Sequence, residues 1–260
     1  MGFKQAILGS SGGIDSAVVC AIACEALGKE NVRAVLMPSG FSSAHSVEDA
    51  VALSNNLGNP HQIIPIQEVF DSFLKQVSPY FEGQPFNVAE ENAQSRIRCN
   101  ILMSLANKFN YVLLNTSNKS ELATGYGTLY GDMVGGISVL GDCYKVQVYE
   151  LARYINRNGE VIPANILTKE PSAELRPGQK DSDSLPEYSV LDSILYQYIE
   201  RSQSPADIKA LHFDGVLVDR ILRMVNMNEY KRNQFCPIIR ISPKSFGPGR
   251  RMPIVGRYLL

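Results

Sequence analysis

Residues 6–16 read as strand, loop and helix in immediate succession, and few folds accommodate that. The apolar run Ala6-Ile7-Leu8 stops at Gly9, opens into Gly9-Ser10-Ser11-Gly12-Gly13-Ile14-Asp15-Ser16, and continues as a helical pattern. Glycines let a backbone approach an anion closely, and turn amides with a helix N-terminus aim N–H groups at it. Ser11 and Ser16 can add hydroxyl donors. Asp15 would repel a phosphate, and a Mg2+ ion between carboxylate and phosphates removes that conflict. The loop is not a Walker A sequence, because Ile14 replaces its second glycine and no lysine follows. Nor is it a GxGxxG fingerprint, since Ser11 fills the second glycine position.

Strand and helix signals then alternate. Residues 14–27 predict a helix with Ile14, Val18, Ala21, Ile22 and Ala26 on one side and Gly28 as its stop. Residues 32–37 predict a second strand, closed by Pro38. Ser46 can cap a helix that carries Glu48 and Asp49 in its first turn and ends at Gly58. Residues 62–66 predict a third strand, with Pro65 placing it at an edge or at its own end. Val69, Phe70, Phe73, Leu74 and Val77 repeat at helical spacing, and Asn87 can cap a long helix carrying Ala93, Ile97, Ile101 and Leu105. Residues 111–114 predict a fourth strand. Short strands separated by helices imply an α/β fold, an open parallel sheet with helices on both faces. Ligands bind such sheets beyond the carboxyl ends of the strands, here after Leu8, Met37 and Leu114.

The second half is less regular. Residues 126–141 are glycine-rich and predict a loop, and 145–158 predict a helix. Residues 170–186, dense in Pro, Ser, Asp and Gly, predict a long ordered loop or a mobile lid. Helical patterns near 189–200, 205–211 and 215–227 predict a small helical C-terminal region.

The 260 residues are ample for a buried core. No apolar run approaches the roughly 20 residues that span a bilayer, and the opening residues do not read as a signal peptide. A net charge of −1 argues against a general nucleic-acid binder. That charge is unevenly spread. All 26 acids lie before Lys231 with 18 of the 25 basic residues, so the body carries −8. The tail, with Lys231, Arg232, Arg240, Lys244, Arg250, Arg251 and Arg257, carries +7. Such a tail is a solvated or partner-docking strip, or it binds an anion. None of the five cysteines forms a CxxC pair, which predicts reduced, packed thiols and a reducing, cytoplasmic compartment. His45, His61 and His212 read as surface or turn residues.

Ser11-Gly12-Gly13-Ile14-Asp15-Ser16 resembles the pyrophosphate loop of the N-type ATP pyrophosphatases, which share a Rossmann-like adenine nucleotide alpha hydrolase fold. Four further segments narrow the likeness: residues 90–98, residues 115–132 with Asn-Thr-Ser-Asn-Lys-Ser-Glu, residues 171–183, and Asn228-Glu229-Tyr230-Lys231-Arg232. Together they resemble NAD synthetase, and within it the synthetase part of the glutamine-dependent type. The likeness runs over essentially the whole chain. It implies a carbon–nitrogen ligase of NAD biosynthesis. ATP adenylates the nicotinate carboxylate of deamido-NAD on Mg2+, pyrophosphate leaves, and ammonia displaces AMP. It also implies that ammonia normally comes from glutamine through an N-terminal glutaminase domain, for which this chain has no room. A homo-oligomer is expected on the same ground. Residues 1–185 would form the ATP pyrophosphatase-type domain, and 186–260 a helical region and basic tail packed on it.

The resemblance also implies residue roles. Gly9, Ser10, Ser11, Gly12, Gly13, Ile14, Asp15 and Ser16 would hold the ATP phosphates, and Asp15 and Glu121 the Mg2+. Thr116 and Met37 would contact ATP, with Met37 near adenine. Asn92 and Arg96, four apart and so on one helix face, would bind deamido-NAD. Tyr126, Gly127, Thr128, Leu129 and Asp132 would line the nicotinate pocket, where an aromatic ring suits a pyridine. Lys145 and Ser172 would hold phosphates, and Lys231 would reach the dinucleotide. A lysine at a helix start is disfavoured by the helix dipole and gains sense if it faces a phosphate. Asp132 is the expected proton acceptor in the amidation step. The alternatives are another N-type ATP pyrophosphatase, such as a GMP synthetase-like amidating ligase, and a nucleotide-binding module without catalysis. The stretch 116–132 and the lack of a cysteine pair speak against the first. The joint presence of Asp15, Glu121 and Lys145 speaks against the second.

Overall fold

In the computed structural model, which describes residues 2–254 and 256, strand β1 (Ala6–Gly9) is the axis of the architecture. It pairs in parallel with β2 (Val32–Leu36) on one side and β4 (Val112–Asn115) on the other. β3 (His61–Ile63) extends the sheet beyond β2, and β5 (Ile137–Ser138) beyond β4. The order is β3-β2-β1-β4-β5, and every pairing is parallel. The chain therefore reverses its direction of travel between β1 and β4, and a crevice opens past their carboxyl ends.

Side chains of period two divide the core. Ala6 and Leu8 of β1 pack with α1 (Ile14–Leu27), α6 (Lys145–Ile155) and α7 (Ala164–Thr168) on one face. Ile7 joins Val35, Leu113 and Ala106 on the other, under α4 (Val88–Phe109), against which α3 (Gln67–Val77) packs. β4 obeys the same rule, with Leu113 on the second face and Leu114 on the first. α2 (Ala44–Leu57) follows β2. A separate apolar cluster joins α5 (Lys119–Thr124), α8 (Tyr188–Ile199), α9 (Pro205–Lys209) and α10 (Gly215–Met227) with Phe246. Four-residue α11 (Glu229–Arg232) ends the helical series.

The predicted strands and long helices are present, with differences at their ends. Ser43, not Ser46, is the N-cap of α2; its side chain accepts from the Ser46 N–H, so Glu48 and Asp49 lie beyond the first turn. β5, α5, α7 and α11 were not predicted, being two to six residues long and too short to show a period. Among the described residues no helix is long and apolar enough to cross a membrane. All five cysteines are free, and Cys20, Cys24 and Cys143 are buried. His45 and His212 are exposed and His61 half-buried. Arg257 lies outside the described residues.

Candidate active site

A cleft of about 290 Å3 sits at the crevice between β1 and β4. Its floor is the loop between β1 and α1. Gly12 has φ +74°, and a Cβ there would stand 2.1 Å from the Ser46 carbonyl oxygen, so only glycine fits. The Ser16 hydroxyl donates to the Gly13 carbonyl at 3.0 Å and accepts from the Ser11 N–H at 3.3 Å. The Ser11 hydroxyl accepts from the Gly13 N–H at 3.2 Å. The two serines thus brace the loop from within. The buried Ser10 hydroxyl has no protein partner, while Ser10 N–H donates to Val35 O at 2.9 Å. Gly9, Ser10, Ser11, Gly13, Ile14, Asp15 and Ser16 all line the cleft, with Gly12 behind them.

The charged centre is assembled from three places in the sequence. Lys145, on the first residue of α6 and buried, bonds Asp15, and its ammonium lies 3.8 Å from a Glu121 oxygen. Asn118, fully buried, joins the two carboxylates. Its amide donates to Asp15 Oδ1 at 2.9 Å, its Oδ1 accepts from Glu121 N–H at 3.0 Å, and its own N–H donates to Glu121 Oε2 at 3.2 Å. Burial and the Asp15 charge push the Glu121 carboxyl well above its ordinary value, while Lys145 pulls it back. Burial disfavours the Lys145 ammonium, but Asp15 and Glu121 outweigh it and hold its pKa above that of a free lysine. Asp181, from the 170–186 loop, adds a third carboxylate to the cleft, itself buried and bonded by the Tyr188 hydroxyl at 2.7 Å.

A second wall is the loop 125–132. Asn92 Oδ1 accepts from the Thr128 hydroxyl at 2.6 Å, and Arg96 Nε donates to Leu129 O at 3.3 Å. Lys231 Nζ donates to the carbonyls of Gly125 and Gly127 at 2.7 and 2.8 Å. Asp132 Oδ1 accepts from the Thr128 N–H at 2.6 Å, and Tyr126 and Asp132 face the cleft. Asp132 is exposed, yet desolvation by the surrounding protein pushes its carboxyl up to about 6, against the pull of the Thr128 N–H and Lys231. Asn92, Arg96, Gly127, Thr128, Leu129 and Lys231 thus gather around one loop at the edge of the cleft rather than on its lining.

Met37 and Thr116 also line the cleft. Beside them Arg98 donates from Nε to Met37 O at 3.0 Å; burial lowers its guanidinium pKa to about 10. The 170–186 loop closes over the top. Ser172 lines the cleft and donates to Gln179 O at 2.5 Å. Glu174 accepts from the hydroxyls of Ser43 and Ser46 at 3.0 and 2.6 Å, pinning the loop to the start of α2. Asn118, Asp181, Arg98 and Glu174 were not predicted as site residues. Only Asn118 left a local signal, an Asn three residues before a Glu at a helix start.

Asp15 and Glu121 both reach the Lys145 ammonium and so offer hard oxygen donors side by side. That donor set fits Mg2+, which binds through one or two carboxylates plus phosphates.

The family model for NAD synthase matches residues 1–235. The glutamine-dependent NAD(+) synthetase of Synechocystis sp. is 54% identical over 97% of this chain and 45% of its own length. A structure of the glutamine-dependent NAD+ synthetase from Acinetobacter baumannii in complex with ADP aligns with TM-score 0.64 at 46% identity, over 98% of this chain and 46% of that one. The NMN synthetase structure from Francisella tularensis aligns with TM-score 0.75 at 30% identity, over 89% and 87%. The chain spans about half the length of the curated relatives it matches.

Proposed function

This chain belongs to the NAD synthase family, and on that premise we propose that it is a ligase that adenylates deamido-NAD with ATP and then amidates it with ammonia. The observation that carries the reading is the Lys145–Asp15–Glu121 centre beside a glycine loop at the sheet's switch point. In it the loop 9–16, braced from within, presents the N-terminus of α1 to the ATP phosphates. Lys145, held by Asp15, donates to a phosphate oxygen as negative charge moves toward the leaving pyrophosphate. Ser172 and Thr116 complete the enclosure from the lid and from β4, and Met37 supplies an apolar face for adenine. Mg2+, held by Asp15 and Glu121, would supply charge neutralisation on the phosphates.

The dinucleotide lies along the loop 125–132. Tyr126 faces the pyridine ring, Thr128 and Leu129 shape its pocket with Gly127, and Asn92, Arg96 and Lys231 exchange their present loop contacts for the substrate. The loop orients the nicotinate carboxylate so that one oxygen forms a bond to the α phosphorus as the α–β bridging bond breaks. Ammonia then attacks the carboxyl carbon, AMP leaves with its electron pair, and Asp132 takes the surplus proton. Residues 1–185 handle ATP, and 186–260 pack on them as a supporting unit. In the whole protein glutamine supplies the ammonia through a glutaminase domain, and the protein acts in the cytoplasm as a homo-oligomer.

Pyrophosphate release from ATP, measured with and without deamido-NAD and with ammonia as the nitrogen donor, tests this. Release that depends on deamido-NAD is expected. Release without it, or none from the full-length protein, would overturn the reading. Release driven instead by xanthosine monophosphate would favour a GMP synthetase-like ligase.

A further inference from the structure

Helix α8 is far in sequence from the phosphate-handling residues, yet its first turns lie against them. Tyr188 and Asp192 are four apart and so share a face. The Tyr188 ring centre is 5.3 Å from the Lys145 ammonium. Asp192 Oδ1 accepts from the Ser120 hydroxyl, and Oδ2 accepts from Val146 N–H at 2.9 Å. The Ser120 oxygen in turn accepts from Lys145 N–H at 2.9 Å. Ser120, Lys145 and Asp192 are all buried. Tyr144, which precedes α6, gives that helix no side-chain cap, so Ser120 and Asp192 take its first two amides. A carboxylate at a helix N-terminus is also favoured by the helix dipole.

One carboxylate therefore clamps two helix starts, each carrying a charged group of the cleft: Glu121, one residue after Ser120, and Lys145, one residue before Val146. We propose that Asp192 is a positioning residue for Lys145, holding the start of α6 against the start of α5 and so setting where the ammonium stands relative to Asp15 and Glu121. The inference rests on the proposed ATP site. An Asn at 192 keeps the volume but offers one acceptor where two donors converge, so the start of α6 shifts and the lysine with it.

A double-mutant cycle on ATP affinity tests this, measured at equilibrium in the full chain with Mg2+ present. The variants are Asp192→Asn, Lys145→Ala and both together. Asp192→Asn is expected to weaken ATP about tenfold when Lys145 is present and less than about twofold when it is absent. Deamido-NAD affinity should change less than about twofold in either background. Equal losses of ATP affinity in both backgrounds, no loss with Lys145 present, or a parallel loss of deamido-NAD affinity would each overturn the proposal. If Asp192→Asn does not fold, Ser120→Ala breaks the same link and enters the same cycle with the same outcomes. ATP binding by the wild type without deamido-NAD-dependent pyrophosphate release would sink the proposed function, and the cycle would still decide the role of Asp192. A wild type that binds no ATP sinks both.

Discussion

At the scale of single residues, the cleft depends on charges held where water would normally solvate them. Lys145 is buried at the start of a helix, a doubly unfavourable place for a cation, and is kept charged by Asp15 and Glu121. Asp132 is the contrary case, an exposed carboxylate whose pKa the neighbouring protein raises to about 6. Its folded value lies above the ordinary 3.8, so the folded state holds this proton more tightly. That contribution to stability is present below about pH 4 and is lost as pH rises through about 6. As a proton acceptor, Asp132 works only when ionised. At constant free ammonia, amidation should therefore climb over an acidic limb near pH 6, and Asp132→Asn should remove both limb and turnover while leaving adenylation intact. Near-normal ammonia-dependent turnover by that variant would exclude the role.

At the scale of elements, the site is built from helix starts. α5 and α6 each present their charged residue within the first turn, and Asn118 is where the cap and the charged centre meet. It closes the capping box of α5 with Glu121 and also bonds Asp15. Asn118→Ala should cost about 1 kcal/mol of stability, the ordinary loss for a helix cap, which denaturant unfolding would measure. Its effect on adenylation should be far larger, because two carboxylates lose their common brace. A variant that loses stability but keeps its rate would show that Asn118 is a cap only. Elements that the sequence made legible are those with a long period or a strong stop. α1, α4 and α10 run 13 to 22 residues, and Asn87 caps α4 as its place in the sequence suggests. The sequence pattern points to Ser46 as the cap of α2, whereas Ser43 holds that place, with its side chain on the Ser46 N–H. β5 has two residues and exists because β4 offers it an edge, which no local pattern records.

At the scale of the molecule, the uneven charge takes on a structural meaning. Arg232 does not form part of a solvated strip. It is buried, pairs with Glu229 at 2.8 Å, and donates to the carbonyls of Leu122 and Ala123 at the end of α5. Lys231 braces the loop at the cleft edge, and Arg240 bonds Ser242 and Pro243 carbonyls. Lys231 and Arg232 thus tie the start of the basic tail to the body. Lys119 does the same from the other side, fully buried among Asp142, Glu200 and Ser242. Burial opposes ionisation of Asp142, yet Lys119 and the amides of Ile241 and Ser242 hold its carboxyl below the ordinary range. Lys119→Met would strand both acids and should cost about 3–5 kcal/mol, read by chemical denaturation. A change under about 1 kcal/mol would show that the cluster adapts without its lysine. The amino-acid sequence by itself determined the alternation of strands and helices, the phosphate loop and the family likeness, because periodicity, glycine turns and caps are written in neighbouring residues. Only the tertiary structure decided that Lys145 meets Asp15 across 130 positions, that Asp192 clamps α6 to α5, and where the tail's charges go. Those pairings depend on the order of strands in the sheet and on which helix packs beside which, and neither is a local property of the chain.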